Sequence, residues 1–241
     1  MYYFLGHLSF IDLCLSCVTV PKMLGDFLQQ GKSISFSGCL AQIYFLHFLG
    51  ASEMFLLTVM AYDRYVAICH PLTYMTLMSP RVCWIMVATS WILASLIAIG
   101  HTMYTMHLPF CVSWEIRHLL CEIPPLLKLA CADISVNVIS MGVTNVIFLG
   151  VPVLFISFSY VFIIATILRI PSAEGRKKAF STCSAHLTVV VIFYGTILFM
   201  YGKPKSKDPL GADKQDLADK LISLFYGVVT PMLNPIIYSL R

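Results

Sequence analysis

Six stretches of this chain, near 1–24, 39–62, 83–104, 138–168, 183–201 and 217–239, are each long and apolar enough to cross a bilayer. That constrains the fold more than any other feature. A crossing needs about 20 mostly apolar residues, and backbone in hydrocarbon must satisfy its own hydrogen bonds. Composition agrees. The chain is 59% hydrophobic and 12% charged, with a mean hydropathy of +0.83, whereas soluble domains carry about 25% charged residues. Its 241 residues leave no room for a separate soluble domain between the spans. The expected fold is an all-α membrane protein, a single transmembrane domain over 1–241.

Most connecting segments are short; the exceptions are 105–137 and 202–216. The first carries Cys111, Cys121 and Cys131, and by parity of crossings it shares a face with Cys39. Four cysteines on one face point to an oxidising compartment and two disulfides, with three pairings open. That face is then extracellular, and Asp63, Arg64, Arg81 and the 169–178 loop are cytoplasmic. Counting basic residues gives 7 on the inner face and 9 on the outer. The positive-inside rule therefore does not favour this orientation, which rests on the cysteines.

Several charged and polar residues fall inside or at the ends of the spans. Asp12 lies mid-way along the first. In the second, 25 residues separate Cys39 from Arg64, about 37 Å of helix, with Glu53 about 21 Å down from Cys39. A carboxylate at the bilayer centre costs roughly 2.5–3.5 kcal/mol even on lenient scales. Two of them require a bundle interior, with partners or a bound cation. At the inner end, Asp63-Arg64-Tyr65 runs into a loop opened by His70-Pro71 and reaching Tyr74. The last span carries Asn234-Pro235-Ile-Ile-Tyr238.

The run Met60-Ala-Tyr-Asp63-Arg64-Tyr65-Val-Ala-Ile-Cys69-His70-Pro71-Leu-Thr-Tyr74 closely resembles the signature of olfactory receptors, a rhodopsin-like branch of the G-protein-coupled receptors. Pro21-Lys22-Met23-Leu24, Lys178-Ala-Phe-Ser-Thr182-Cys183-Ser-Ala-His186-Leu187 and Pro231-Met-Leu-Asn234-Pro235-Ile-Ile-Tyr238 match the same family in order. Ala185 stands where serine is commoner. The opening run Met1-Tyr-Tyr-Phe-Leu-Gly-His-Leu-Ser-Phe, which has neither a signal peptide's basic start nor its cleavage site, resembles the start of that family's second helix. The resemblance therefore implies a seven-transmembrane receptor bundle with six of its helices, two to seven, present. Helix one and the C-terminal tail are expected to be missing.

The resemblance also implies residue roles. The disulfides would be Cys39–Cys121 and Cys111–Cys131, leaving Cys14, Cys17, Cys69, Cys83 and Cys183 as free thiols. Asp12, Glu53 and Asn234 would surround a sodium ion, the one metal expected, and no other cofactor is implied. Asp63, Arg64, Tyr65, Tyr160, Asn234, Pro235 and Tyr238 would form a G-protein switch in which Asp63 holds Arg64 at rest. Pro152, Pro231 and Pro235 would give bends. The ligand pocket would lie in the outer half, built by Leu46, His47, Gly50, Ala51, Thr144, Asn145, Phe148, Tyr194, Ile197 and Tyr201. Tyr194 would stand for the tryptophan switch of other receptors. Expected partners are a small volatile odorant, a heterotrimeric G protein of the olfactory type that raises cAMP, and the lipid bilayer of the plasma membrane.

Rival classes fare less well. Neither His-Glu-x-x-His nor Gly-x-Ser-x-Gly occurs, so no enzyme is expected. The placement of charge disfavours nucleic acid. A small-solute or proton-coupled transporter using Asp12 and Glu53 is the main alternative, and a non-functional receptor fragment is the other.

Overall fold

The computed structural model describes residues 1–28, 34–107, 121, 123, 126, 131, 139–140, 142–144, 146–201, 221 and 224–239. Among them every regular element is helical: α1 (Tyr2–Leu28), α2 (Phe36–Cys69), the short α3 (Tyr74–Leu77), α4 (Pro80–Met106), α5 (Val151–Leu168), α6 (Ala173–Tyr201) and α7 (Thr230–Ser239). A 3-10 turn at Pro71–Thr73 joins α2 to α3, and π-helical turns at Val146–Gly150 and Phe225–Val229 precede α5 and α7. Five helices among these residues are long and apolar enough to cross a membrane. The expected spans 39–62, 83–104 and 183–201 lie within α2, α4 and α6, and 1–24 lies within α1 but for its first residue. The expected 138–168 and 217–239 are only partly described.

Local chemistry sets the helix ends. The Ser35 hydroxyl accepts from the Gly38 N–H (3.1 Å) and caps α2, supplying one of the acceptors that a helix start lacks. Pro71 follows the last turn of α2, and its ring disfavours continued helix in the residue before it. Pro80 opens α4 at a position where its missing N–H costs nothing. Each π turn leads into a proline, Pro152 or Pro231. A proline ring presses on the carbonyl four residues back and gives it no N–H, and a widened turn relieves that clash. Pro231 thereby deprives Gly227 of its helical donor. The Thr19 hydroxyl of α1 lies 2.9 Å from that carbonyl and 3.0 Å from the Leu15 carbonyl of its own helix, and its one proton serves either.

The core is largely apolar, but so is the surface, and several polar groups are buried. Trp84 (65% exposed), Ile92, Phe158 and Phe162 face outward, while Asp12, Glu53, Asp63 and Asn234 are buried. Such a surface suits lipid, and buried polar groups join the helices. The helix α2 lies at the centre and packs against α1, α4, α5 and α6, while α7 packs against α1 and α6. Half of the apolar window of α2 (50%) is buried, against 22% for α4. Trp91 of α4 contacts the rings of His7 and Phe10 on α1 and of Phe48 on α2. Because α2 touches most of its neighbours, its side chains build every part of the candidate site.

Candidate functional site

Mid-way along α2, three helices meet at one amide. The Asn234 Nδ2 of α7 donates to Asp12 Oδ1 on α1 (3.0 Å) and to Glu53 Oε1 on α2 (2.9 Å). All three side chains are at most 3% exposed. The second oxygen of Asp12, Oδ2, is buried without a hydrogen-bond partner. Two carboxylates served by one amide leave negative charge or lone pairs unanswered, and a proton or a small hard cation supplies what is missing. The expected sodium set is therefore brought together, and its donors are oxygens of the kind such an ion takes.

Toward the Asp63 end, the Tyr74 hydroxyl of α3 donates to Asp63 Oδ1 (2.8 Å), and the Met1 amino group lies 3.6 Å from the same oxygen. Burial first, and then the Asp63 carboxylate, push the Tyr74 hydroxyl up to about 12. The expected hold of Asp63 on Arg64 is not made: no ion pair joins them among the described residues, and Arg64 Nε is buried with no partner. Consecutive helical residues point about 100° apart and do not face each other. The guanidinium lies within electrostatic reach of Tyr74, Tyr160, Cys183, His186 and Tyr238. Tyr238 likewise has a buried hydroxyl without a partner. Tyr65 contacts His70 (3.3 Å) and the Phe162 ring, and Pro235 is exposed on α7.

Sequence reasoning missed the polar chain beside this arginine. The Tyr160 hydroxyl of α5 meets His186 Nδ1 of α6 (2.6 Å), and His186 Nε2 reaches the Leu57 carbonyl of α2 (3.1 Å). A carbonyl only accepts, so Nε2 carries the proton and Nδ1 accepts from the tyrosine. The two rings are stacked at 5.8 Å. A histidine inside an apolar helix was the available signal, because a fully buried imidazole must find partners.

At the other end, the Cys39–Cys121 disulfide is formed, with Cα atoms 5.4 Å apart. Cys131 is also disulfide-bonded, whereas its expected partner Cys111 lies outside the described residues. The five cysteines expected to be free are free. Three residues beyond Cys39, Gln42 adds a second tie that sequence reasoning also missed. Its Oε1 accepts from the Cys121 N–H (2.9 Å) and its Nε2 donates to the Val18 carbonyl (3.3 Å).

The expected pocket residues divide. His47, Gly50 and Ala51 line one half-buried strip of α2 beside the buried Leu46. Phe148 is half-buried and meets the Phe55 ring edge-on. Tyr194 is packed into the core, its hydroxyl donating to the Met54 carbonyl (3.2 Å). Thr144 bonds back to Ser140 of its own segment (2.8 Å), and Ile197 is half-buried. Asn145 and the side chain of Tyr201 lie outside the described residues.

Comparison with known proteins follows the same lines. The family model described as olfactory receptor matches residues 1–241. Olfactory receptor 2S2 of Homo sapiens is 64% identical over the whole chain, which covers 76% of that relative. Olfactory receptor 2AG2 of Homo sapiens is 63% identical over the whole chain, covering 74% of it. Olfactory receptor 1E16 of Mus musculus is 50% identical over the whole chain, covering 75% of it.

Proposed function

The chain belongs to the olfactory receptor family of G-protein-coupled receptors, and from that premise we propose that it detects a small volatile odorant and raises cAMP through an olfactory-type G protein. A receptor of this family is not an enzyme. On this reading the protein sits in the plasma membrane with the Cys39 end of α2 outside and the Asp63 end inside.

The observation that supports the proposal best is α2 itself. One unbroken helix carries the loop disulfide at Cys39, the half-buried His47–Ala51 strip, the three-helix polar junction at Glu53 and the Asp63-Arg64 pair. An odorant on the strip shifts α2 against α4 and α5. The shift is felt at Asn234, which ties α2 to α1 and α7, and at Arg64, which lies toward Tyr160 and Tyr238. Asp12, Glu53 and Asn234 would hold a sodium ion that stabilises one of the two arrangements, since a ligand shifts an equilibrium only through differential affinity. The 176–178 basic run adjoins the inner face. A second disulfide, Cys111–Cys131, completes the outer loop.

The test is odorant-evoked cAMP in cells expressing the chain. Arg64→Ala is expected to abolish the response while surface expression persists. Solute flux that needs no G protein would replace the receptor reading with a transporter that uses Asp12 and Glu53.

A further inference from the structure

Within the strip on α2, one pair of side chains defines the chemistry of what binds. His47 lies eight residues from Cys39, about 12 Å along the helix. Its Nδ1 contacts the Ile43 carbonyl at 2.8 Å. Because a carbonyl only accepts, Nδ1 carries the proton, and in the neutral ring Nε2 is left as an acceptor. His101 of α4 stands beside it, with ring centroids 5.0 Å apart and planes tilted by 37°. It occupies the inward face of its helix, in line with the buried Ala94, Ala98 and Thr105. No hydrogen bond reaches either nitrogen of His101 among the described residues, and none joins the two rings directly. One turn further along α2, a Cβ added at Gly50 would meet nothing within 4 Å. Among the described residues, His47 Nε2 and the ring nitrogens of His101 are thus left to bond a third group, and Gly50 leaves open space one turn away.

We infer that His47 and His101 form a recognition site for a single hydroxyl group, so that the ligands of this receptor are small alcohols or phenols; this rests on the odorant-binding reading above. His47 Nε2 needs a donor, and His101 offers an N–H of its own. A hydroxyl both donates and accepts, so one oxygen about 2.8 Å from each ring satisfies both. An ether, ester or aldehyde oxygen only accepts and leaves His47 Nε2 bare. Sites built to hydrogen-bond a hydroxyl reject analogues lacking it far more strongly than apolar pockets reject a methylene.

The experiment measures the thermal unfolding midpoint of the chain in lipid nanodiscs against a panel of aliphatic alcohols and phenols, each paired with its methyl ether and, for primary alcohols, its aldehyde. Hydroxyl compounds are expected to raise the midpoint at concentrations at least about tenfold below those of their ethers. His47→Phe and His101→Phe are each expected to erase that difference, and His47→Gln, whose amide oxygen still accepts, to retain it. Equal binding of alcohol and ether, absence of any hydroxyl ligand, or discrimination that survives both Phe variants overturns the inference. The alcohol–ether comparison needs no variant to fold. The readout also needs no G protein: discrimination without cAMP signalling would sink the function proposed above and leave this inference standing, and cAMP evoked equally by alcohols and ethers would do the reverse.

Discussion

Replacing Asn234 with leucine removes the one amide that joins α1, α2 and α7, and its cost follows from the bonds lost. Two hydrogen bonds disappear, at 2.9 and 3.0 Å, and both end on carboxylates. In soluble proteins such bonds are worth about 1.5–3 kcal/mol each. In bilayers the measured mean is nearer 0.6 kcal/mol, with a maximum of about 1.7, because the unfolded chain in the membrane also finds partners. Here the upper value applies. Asp12 Oδ2 already lacks a partner, so the variant leaves Asp12 Oδ1 and Glu53 Oε1 beside it without the amide N–H groups that leucine cannot replace. The expected cost is about 3 kcal/mol, or a midpoint roughly 6–12 °C lower for a chain of this size. Cys183 is free and only 4% exposed, so its reaction with a thiol-reactive fluorophore reports unfolding in nanodiscs. Adding Asp12→Asn is expected to recover part of the loss, because the substitution removes a stranded carboxylate, and residues sharing one network are not additive. A cost below about 0.5 kcal/mol, the range of ordinary surface changes, or full additivity of the two substitutions, would refute the reasoning.

Three further outcomes are expected. Thr19→Val removes the hydroxyl within hydrogen-bond reach of the Gly227 carbonyl that Pro231 leaves without a helical partner, and should cost about 1 kcal/mol in the same unfolding assay, with Thr19→Ser close to the parent. Tyr74→Phe removes the hydroxyl that ties Asp63 of α2 to α3; one hydrogen bond of about 1 kcal/mol corresponds to roughly a fivefold weaker odorant-evoked cAMP response as the α2–α3 contact loosens, and an unchanged dose–response curve would contradict it. The Tyr74 hydroxyl is raised from its ordinary 10.0 to about 12. Its bond is therefore fully present below pH 10 and lost only as pH rises through 12, so the difference between variant and parent should hold constant across about pH 6–9. Gln42→Leu leaves the Cys121 N–H and the Val18 carbonyl without their partner. Dithiothreitol should then reduce Cys39–Cys121 about fivefold faster, as read by thiol labelling.

What the sequence disclosed and what it hid divide along a physical line. The bilayer imposes length and apolarity on each crossing, so three of the expected spans, and a fourth but for its first residue, could be placed inside observed helices from composition alone. It also makes a buried acid expensive, so Asp12 and Glu53 stood out before any partner was known, and Asn234 joined them through its motif. Partners across helices were another matter. The sequence names Tyr74, Gln42, His101 and His186 but not their partners, and what each one meets depends on how far the helices around α2 are rotated and slid against it. Those two variables are set by side-chain packing between helices, which no single-helix period encodes. Adjacent letters likewise do not make a contact: a helix turns consecutive side chains apart, and Asp63 meets Tyr74 while Arg64 lies within electrostatic reach of Tyr74, Tyr160, His186 and Tyr238. In this arrangement Asp63 and Arg64 are two neighbouring side chains that do not pair with each other among the described residues. A movement of α2 would therefore change both the loop contact at Tyr74 and the electrostatic surroundings of Arg64.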